Sequence, residues 1–497
     1  MKRLYRFLIV LALATATFTA DAQNDGIAFT LMPHNPYSNF LNPGIRVPYN
    51  GMVGVAFSNI NFSIYNSSVT YGNIYSTNAS GQEVIDAIKV LNGLNDTGNF
   101  INSNISLDFI NAGFRIKKLF FNIDWRMRMN TEVEYAKDFV GLFVLGNYGY
   151  LGMDNPCNFN INMDMTAFSE IGIGVQYDIN DKLTVGIRPK LLGGIANVSV
   201  NNERTKIYTD ADTYAISADV HMDIQAATIL KSDINRISNV TKLFDVDSIG
   251  MGNMFNVTEN IGLGVDFGAS YTFNEHWGAA AGVYDLGYIK WKDTKVKEKH
   301  TDGVVLNNAI FEDLHDITTM DLDYTTMLEK VVDAVWGNDS LQKGADYKTY
   351  LKTRIMLQGY YELNPMVRFT AIAQMYYINK QMRPALTLAY SGDFWNWLDL
   401  SASFTASKFS GTSLGLGIGF HGGPFNFYAV TDNILTLTKV ASPTVEMATA
   451  YQASNFRIGI VWTIGKYQGN NRLSKVKVID TDAIDKEKAD FENSINN

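Results

Sequence analysis

The stretch Leu119–Asn130 reads LFFNIDWRMRMN, and it decides the fold class of this chain. Its alternate positions carry large apolar side chains, which are Leu119, Phe121, Ile123, Trp125, Met127 and Met129. The positions between them are polar or charged, with Phe120 the one exception; they are Asn122, Asp124, Arg126, Arg128 and Asn130. Successive side chains of a β-strand point to opposite faces, so this strand has one apolar face and one charged face. Such a strand, repeated along an exported chain, indicates a transmembrane β-barrel with lipid outside and water inside.

The amino terminus has the three parts of a secretory signal. Lys2, Arg3 and Arg6 precede the apolar run Phe7–Ala14, and Ala20-Asp21-Ala22 forms a small-x-small cleavage site before Gln23. We therefore predict a signal peptide over residues 1–22. Beyond it no run of about eighteen apolar residues occurs, so the chain would cross a membrane with strands and not with a helix.

The composition of the chain further narrows the class of protein to which it can belong. The formal net charge is −9, and it becomes −11 once the three cations and one carboxylate of the signal are left out. This acidic balance argues against a nucleic-acid partner. The single cysteine, Cys157, cannot form an internal disulfide. No linker or shift in composition divides the chain, so one barrel is expected over residues 51–466.

Fourteen segments alternate in this way, and each has the 9–11 or so residues that a tilted transmembrane strand needs. They are 51–65, 104–116, 118–131, 164–179, 182–200, 257–274, 276–292, 351–363, 365–378, 381–391, 396–408, 412–421, 423–437 and 453–466. The sequence thus predicts an all-β, antiparallel barrel of about 14 strands.

The lengths of the connections predict the orientation of the barrel. Long links follow the first, third, fifth and seventh strands, and tight links follow the second, fourth, sixth and eighth. Outer-membrane barrels have short periplasmic turns and long outer loops, so both termini should be periplasmic. Aromatic residues near the predicted strand ends match interfacial belts; they are Trp277, Trp395 and Trp397 at the turns, and Tyr288 and Trp291 at an outer end.

Several strings resemble the uncharacterised outer-membrane barrels of Bacteroidota, distant relatives of the long-chain fatty-acid transporter. They are NFLNPGIRVP (Asn39–Pro48), IRPKLLGGIANV (Ile187–Val198), DLGYIKW (Asp285–Trp291), GPFNFYAVTDNIL (Gly423–Leu435) and NFRIGIVWTIG (Asn455–Gly465). The resemblance implies a fourteen-stranded barrel with a hatch-like luminal segment at residues 23–50, and it implies no substrate. Asn42, Pro43 and Gly44 are the candidate hatch residues. This segment is short for a full hatch. Residues 467–497 are predicted to be a polar periplasmic tail.

The motifs that carry chemistry are mostly missing. Gly411–Gly415 has the GxSxG spelling, but it opens a strand and lacks the helix that a nucleophile elbow requires. The six histidines show no HxH or HExxH spacing. We therefore expect no catalytic residues, no metal site, no cofactor and no enzymatic activity. Gly415, Gly417 and Gly419 are better explained as inward space for a closely packed luminal segment.

Apolar outer loops are the candidate functional segments. Glu83–Leu94 has helical spacing, Phe139–Leu145 is strongly apolar, and Tyr324–Trp336 again has helical spacing. An apolar helix on an exposed loop must bury its face. These helices would cap the barrel mouth, form a hydrophobic ligand site or entry groove, or dock a partner protein. The candidate ligand-binding or gating residues are Val84, Ile88, Leu91, Phe139, Leu142 and Phe143.

Two functional hypotheses follow for a protein embedded in outer-membrane lipid. In the first, the barrel is of a transport type and binds or passes a small hydrophobic molecule through a plugged lumen. In the second, it is a structural or assembly barrel of a secretion or surface-anchoring machine and binds cell-envelope proteins through its outer loops or its carboxy-terminal tail. A continuous apolar pocket would favour the first, and a closed, polar lumen the second.

Overall fold

The computed structural model describes residues 32, 34–68, 74–78, 80–81, 83–96, 98–202, 204–228, 259–306, 341–364, 366–378, 381–395, 397–407, 411–434 and 453–465. The predicted signal peptide, the polar tail and the loop segment Tyr324–Trp336 lie outside these ranges. Within them, no helix has the length and apolarity that a membrane-spanning helix needs.

Strands dominate the described residues. In chain order they are β1 (Gly51–Asn66), β2 (Tyr75–Thr77), β3 (Glu83–Ile85), β4 (Asn99–Ile116), β5 (Leu119–Tyr135), β6 (Cys157–Asn158), β7 (Ile161–Asp178), β8 (Leu183–Asn201), β9 (Lys206–Thr209), β10 (Ile216–Thr228), β11 (Asn260–Thr272), β12 (Trp277–Trp291), β13 (Lys295–Leu306), β14 (Gln342–Lys343), β15 (Tyr347–Tyr350), β16 (Thr353–Asn364), β17 (Val367–Ile378), β18 (Gln381–Phe394), β19 (Leu398–Ser407), β20 (Gly411–Gly422), β21 (Phe425–Thr431) and β22 (Ala453–Ile464). The short helices are α1 (Ser38–Leu41), α2 (Ala87–Gly93) and α3 (Lys137–Leu145), followed by a 3-10 turn at Asn147–Tyr150.

Fourteen of these strands form a closed antiparallel wall. They are β1, β4, β5, β7, β8, β11, β12 and β16 to β22. The wall closes because β1 pairs with β4 on one side and with β22 on the other. Closure leaves the wall without an unpaired edge, as the bilayer requires. The predicted fourteen-stranded barrel is confirmed. We call the two ends of the wall the tight-turn end and the long-loop end.

The two faces of the wall differ as the alternation predicts. On the outside, Ile123 is 48% exposed and Phe267 is 44% exposed, whereas their neighbours Asp124 and Asp266 are each 1% exposed in the lumen. Apolar side chains exposed around the barrel are stable only against lipid. The exterior is therefore that of a transmembrane barrel.

Two aromatic residues depart from the simple pattern. Phe120, the exception in the opening stretch, points inward and is fully buried in one apolar cluster with Val47 and Met52. Trp291, expected in an interfacial belt, is also fully buried and donates a hydrogen bond from Nε1 to Thr349 Oγ1 at 2.8 Å. Alternation already places Phe120 on the inward face of its strand, but it cannot predict that aromatic side chains find apolar packing inside the barrel. Trp277 and Trp395 remain exposed, at 45% and 70%.

A second sheet region at the long-loop end was not predicted. Strand β10 pairs with the outer part of β8, with Ile224 opposite Val200, and then with β13, where His221 lies opposite His300. These strands fall within links that the sequence analysis treated as long loops. The wall therefore continues beyond the barrel as a folded sheet on this side.

Candidate functional site

The segment 34–49, which we call the hatch, lies inside the lumen at the tight-turn end. Asn42 is fully buried and donates from Nδ2 to the carbonyl of Ala281 on β12 at 3.2 Å. Its Oδ1 accepts from Gly44 N at 2.8 Å, which closes a tight turn around Pro43. The structure thus places all three candidate hatch residues against the inner wall.

Gln176 of β7 is the main polar anchor of the hatch. Its Nε2 donates to the carbonyls of Pro43 at 2.9 Å and Ile45 at 2.6 Å, and its Oε1 accepts from Val47 N at 3.2 Å. On β11, Ser270 Oγ donates to the carbonyl of Gly44 at 2.7 Å. The backbone polar groups of the hatch are therefore satisfied by the wall, as a buried irregular segment requires.

The hatch also contributes apolar side chains to the lumen. Tyr37 is fully buried and packs with its ring 6.0 Å from that of Tyr428 on β21. Phe40 lies beneath two guanidinium groups, 4.7 Å from Arg126 and 5.2 Å from Arg188. Cation–π contacts of this kind strengthen where water is excluded. The hatch therefore couples directly to the charged middle of the barrel.

Eight charged side chains from five wall strands form a central ion-pair cluster above the hatch. They are Asp124, Arg126, Arg128, Glu170, Arg188, Lys190, Asp266 and Asp285. Arg188, of which 2% is exposed, donates to Glu170 Oε1 at 2.7 Å and to Asp266 Oδ2 at 3.0 Å, and it also pairs with Asp124. Four cations face four carboxylates, so the cluster is balanced in charge. Such a network holds neighbouring strands together across the lumen.

A cavity of about 70 Å³ is lined by six members of this cluster, by Phe40 of the hatch and by further wall residues. That volume accommodates a few water molecules. The described residues that line it are largely polar and include Asn59, Asn104, Asn130, Lys352, Arg354 and Arg457. The arrangement suits water or a small polar group better than a hydrocarbon, because an unpaired buried charge is costly.

One of several irregular places in the wall lies beside the hatch. Pairing between β1 and β22 is interrupted between Val53 and Asn59, and the Phe57 backbone has a φ of 61°, in the left-handed region. The Phe57 ring is 48% exposed on the outer face and stacks edge-on against Phe109 at 5.4 Å. A non-glycine residue held at positive φ indicates local strain. We call this place the β1 kink.

The apolar loop segments pack onto the outside of the wall. Leu142 of α3 is fully buried in a cluster with Met127 and Met165, and Phe139 packs against the same cluster. Met127 lies on the outward face of β5, since Asp124, Arg126 and Arg128 line the lumen. Phe143 belongs to α3, and its side chain lies outside the described residues. Helix α3 thus lies against the outer face of the wall and not across the mouth.

The first loop segment is only partly helical. Val84 belongs to strand β3, which pairs with β2, so the expected helix over Glu83–Leu94 is wrong in its first third. Asp86 is the reason. Its backbone is extended, and its side chain accepts a hydrogen bond from Lys89 N. This cap begins α2 at Ala87. A hydrogen bond from Ser76 lowers the pKa of Asp86. Leu91 packs with Tyr135 of β5, whereas Ile88 is 49% exposed.

We expect Leu142→Ala to loosen this outer packing without opening the barrel. A buried leucine truncated to alanine costs about 2–5 kcal/mol, and here the loss falls on the loop that carries α3. The rate of protease cleavage within 136–160 in intact cells should rise. Leu145→Ala, at a position 42% exposed on the same helix, is the matched control. Equal cleavage rates in the two variants would contradict this packing.

One cluster of titratable residues was missed entirely by the sequence analysis. His34 of the hatch meets Asp393, Asp399 and His421 at the tight-turn end of the wall. No spacing rule could find it, because the hydrogen-bonded pair His34 and Asp399 is 365 residues apart in the chain. The central ion-pair cluster was missed for the same reason. The sequence predicts that these charged side chains point inward, but it does not predict which of them pair with one another.

The chain is similar, at low identity, to solved structures of transport and translocator proteins. The toluene transporter TodX of Pseudomonas putida is 9% identical, with 90% of this chain and 98% of that chain covered and a TM-score of 0.38. A FadL homologue of Pseudomonas aeruginosa is 10% identical, with 88% and 96% covered and a TM-score of 0.38. The translocator domain of the autotransporter NalP from Neisseria meningitidis is 8% identical, with 83% and 88% covered and a TM-score of 0.30.

No curated protein matches the chain. A family model does, over residues 43–432, from Pro43 in the hatch to Asp432 just after β21. The model describes a family of unknown function, which confirms the expected resemblance to an uncharacterised family. This chain therefore belongs to the family of unknown function DUF5723.

Proposed function

We propose that the protein is an outer-membrane barrel of the transport type, closed at rest by the hatch, with both termini in the periplasm. The observation that carries the proposal is the hatch itself. Residues 34–49 bind to the inner wall at the tight-turn end, and Phe40 of this segment lines the luminal cavity together with the central ion-pair cluster. Because the hatch enters the lumen through one end of the wall, it can also be displaced from the lumen through that end. A purely structural barrel has no need of such a segment.

We further propose that a small hydrophobic molecule is exchanged with the bilayer at the β1 kink. The middle of the lumen is charged, so an apolar molecule gains nothing by passing through it. At the kink the ladder between β1 and β22 is interrupted, and Phe57 and Phe109 are stacked at its outer side. From inside, the hydroxyl of Tyr37 lies directly against Gly54. The hatch therefore covers the kink from the lumen.

Uptake into proteoliposomes by a Tyr37→Ala variant tests this proposal. Removing the ring uncovers the kink, so entry of a small hydrophobic fluorescent probe should be several times faster than with the unmodified chain. Tyr65→Ala, a change at the long-loop end of β1, should leave the rate of probe entry unchanged. Heat-modifiable migration on gels and sedimentation with outer membranes show that each variant is folded and located as proposed.

A second function is favoured by the charge balance of the lumen. The central ion-pair cluster lines the middle of the lumen, and the described lining of the cavity is largely polar. These features fit an assembly barrel that binds cell-envelope proteins through its outer loops or tail. If folded wild-type and Tyr37→Ala barrels both fail to admit the probe, the transport proposal falls and this one stands. Cross-linking from the outer loops in whole cells would then identify partners.

A further inference from the structure

Four metal-ligating side chains converge where the hatch enters the lumen. His34 comes from the hatch, Asp393 from the end of β18, Asp399 from the start of β19 and His421 from the end of β20. His34 Nδ1 lies 3.0 Å from Asp399 Oδ1, and His421 Nε2 lies 3.5 Å from Asp393 Oδ1 and 3.7 Å from Asp399 Oδ1. The two imidazole rings stack at 3.7 Å. One ligand atom from each residue thus falls within 4.8 Å of all the others.

Two of these atoms lack a well-formed hydrogen bond. Asp393 Oδ1 and His421 Nε2 are buried and lie 3.5 Å apart, which is long for a hydrogen bond between them. Within the residues that the structure describes, neither Asp393 nor Asp399 pairs with a lysine or an arginine. Buried polar atoms are nearly always paired, because leaving them unpaired costs free energy. Two carboxylates and two imidazoles therefore meet at a place where the described residues offer the carboxylates no lysine or arginine.

We propose that His34, Asp393, Asp399 and His421 bind one divalent transition-metal ion, with zinc the first candidate. Two imidazole nitrogens and two carboxylate oxygens form a donor set that suits zinc. Zinc holds such atoms at about 2.0–2.1 Å in a tetrahedron, so neighbouring ligand atoms lie about 3.3 Å apart. The separations of 3.0, 3.5 and 3.7 Å in this protein are close to that value. To place a nitrogen of each ring on one ion, the stacked imidazoles of His34 and His421 have to turn out of their nearly parallel arrangement.

The ion would join the hatch to the wall. Only His34 belongs to the hatch, and the other three ligands belong to consecutive wall strands that are already paired with one another. Metal binding therefore restrains the beginning of the hatch and leaves the wall as it is. A site assembled only in the folded barrel contributes its binding free energy to that fold. The effect on transport rests on the proposed function, but metal binding itself does not.

Metal titration of the purified full-length chain in detergent tests the site. After chelation and removal of the chelator, isothermal titration with Zn²⁺ should give one ion per chain, and Co²⁺ should give the intense visible absorption of a tetrahedral site. His34→Gln, Asp399→Asn and His421→Gln should each weaken binding by about 100-fold or more, since each removes a direct ligand. His276→Gln, on a turn at the same end, should bind as the unmodified chain does.

The outcomes distinguish three claims: that the site binds a metal ion, that this ion joins the hatch to the wall, and that the barrel transports a hydrophobic molecule. Heat-modifiable migration shows which variants are folded, and only those are compared. Failure to bind one ion, or equal affinity in the His421→Gln and His276→Gln variants, overturns the site. Zinc binding that survives His34→Gln overturns the connection between hatch and wall. None of these measurements involves uptake, so a failed transport assay leaves the metal site intact.

Discussion

Gly44→Val is expected to drive the hatch out of the lumen and to convert a closed barrel into a conducting one. A Cβ on Gly44 would lie far inside van der Waals contact with the backbone of Gly268 and Ala269 on β11. A paired strand in the middle of the wall cannot move aside to make room. Overpacking of about 2–3 kcal/mol would multiply the displaced population by about 30- to 160-fold. Single-channel recording in planar bilayers should show openings that the unmodified chain lacks.

A substitution on the wall can produce the same collision between hatch and wall. A Cβ on Gly186 of β8 would meet the carbonyl oxygen of Pro43, so Gly186→Val should open the barrel as Gly44→Val does. Gly359→Val on β16 is the control, because a Cβ there has no atom within 4 Å. Openings in the control, or closed barrels in both test variants while migration on gels shows them folded, would mean that the hatch does not close the lumen.

Arg188→Met is expected to produce the largest loss of stability. The guanidinium group is 2% exposed and pairs with three carboxylates, those of Asp124, Glu170 and Asp266. Removing it leaves buried negative charge with fewer partners, and breaking a buried pair in this way costs about 3–5 kcal/mol. The midpoint of urea-induced unfolding, followed by tryptophan fluorescence, should fall accordingly.

Charge compensation distinguishes this effect from simple loss of packing. Adding Glu170→Gln to Arg188→Met removes one of the stranded carboxylates and should restore part of the lost stability. Lys290→Met breaks an exposed pair with Asp346 at 3.1 Å, and its cost should stay below about 1 kcal/mol. If Arg188→Met costs no more than Lys290→Met, the central ion-pair cluster does not stabilise the barrel.

The strands and their faces could be predicted because alternation is a local property. Asp124 and Ile123 are neighbours in the chain, and their opposite burial follows from the period of two alone. The tight turns after Ile116, Asp178 and Thr272 were likewise visible as short polar interruptions. The prediction of secondary structure was wrong where one side chain caps a helix. Asp86 ends β3's hairpin and begins α2, which divided a segment that apolar spacing had made into one helix.

The sequence by itself determined the number of strands, the outward and inward faces, and the separation of tight turns from long loops, because each depends on residues within one strand or between two. Only the tertiary structure decided which inward charges meet, that Leu142 packs outside the wall, and that His34 reaches His421. Those contacts depend on the register of fourteen strands and on the closure of β1 with β22. A shift of one residue in any pairing would exchange the two faces of a strand. The candidate site is therefore a property of the closed barrel, and no single segment of the chain contains it.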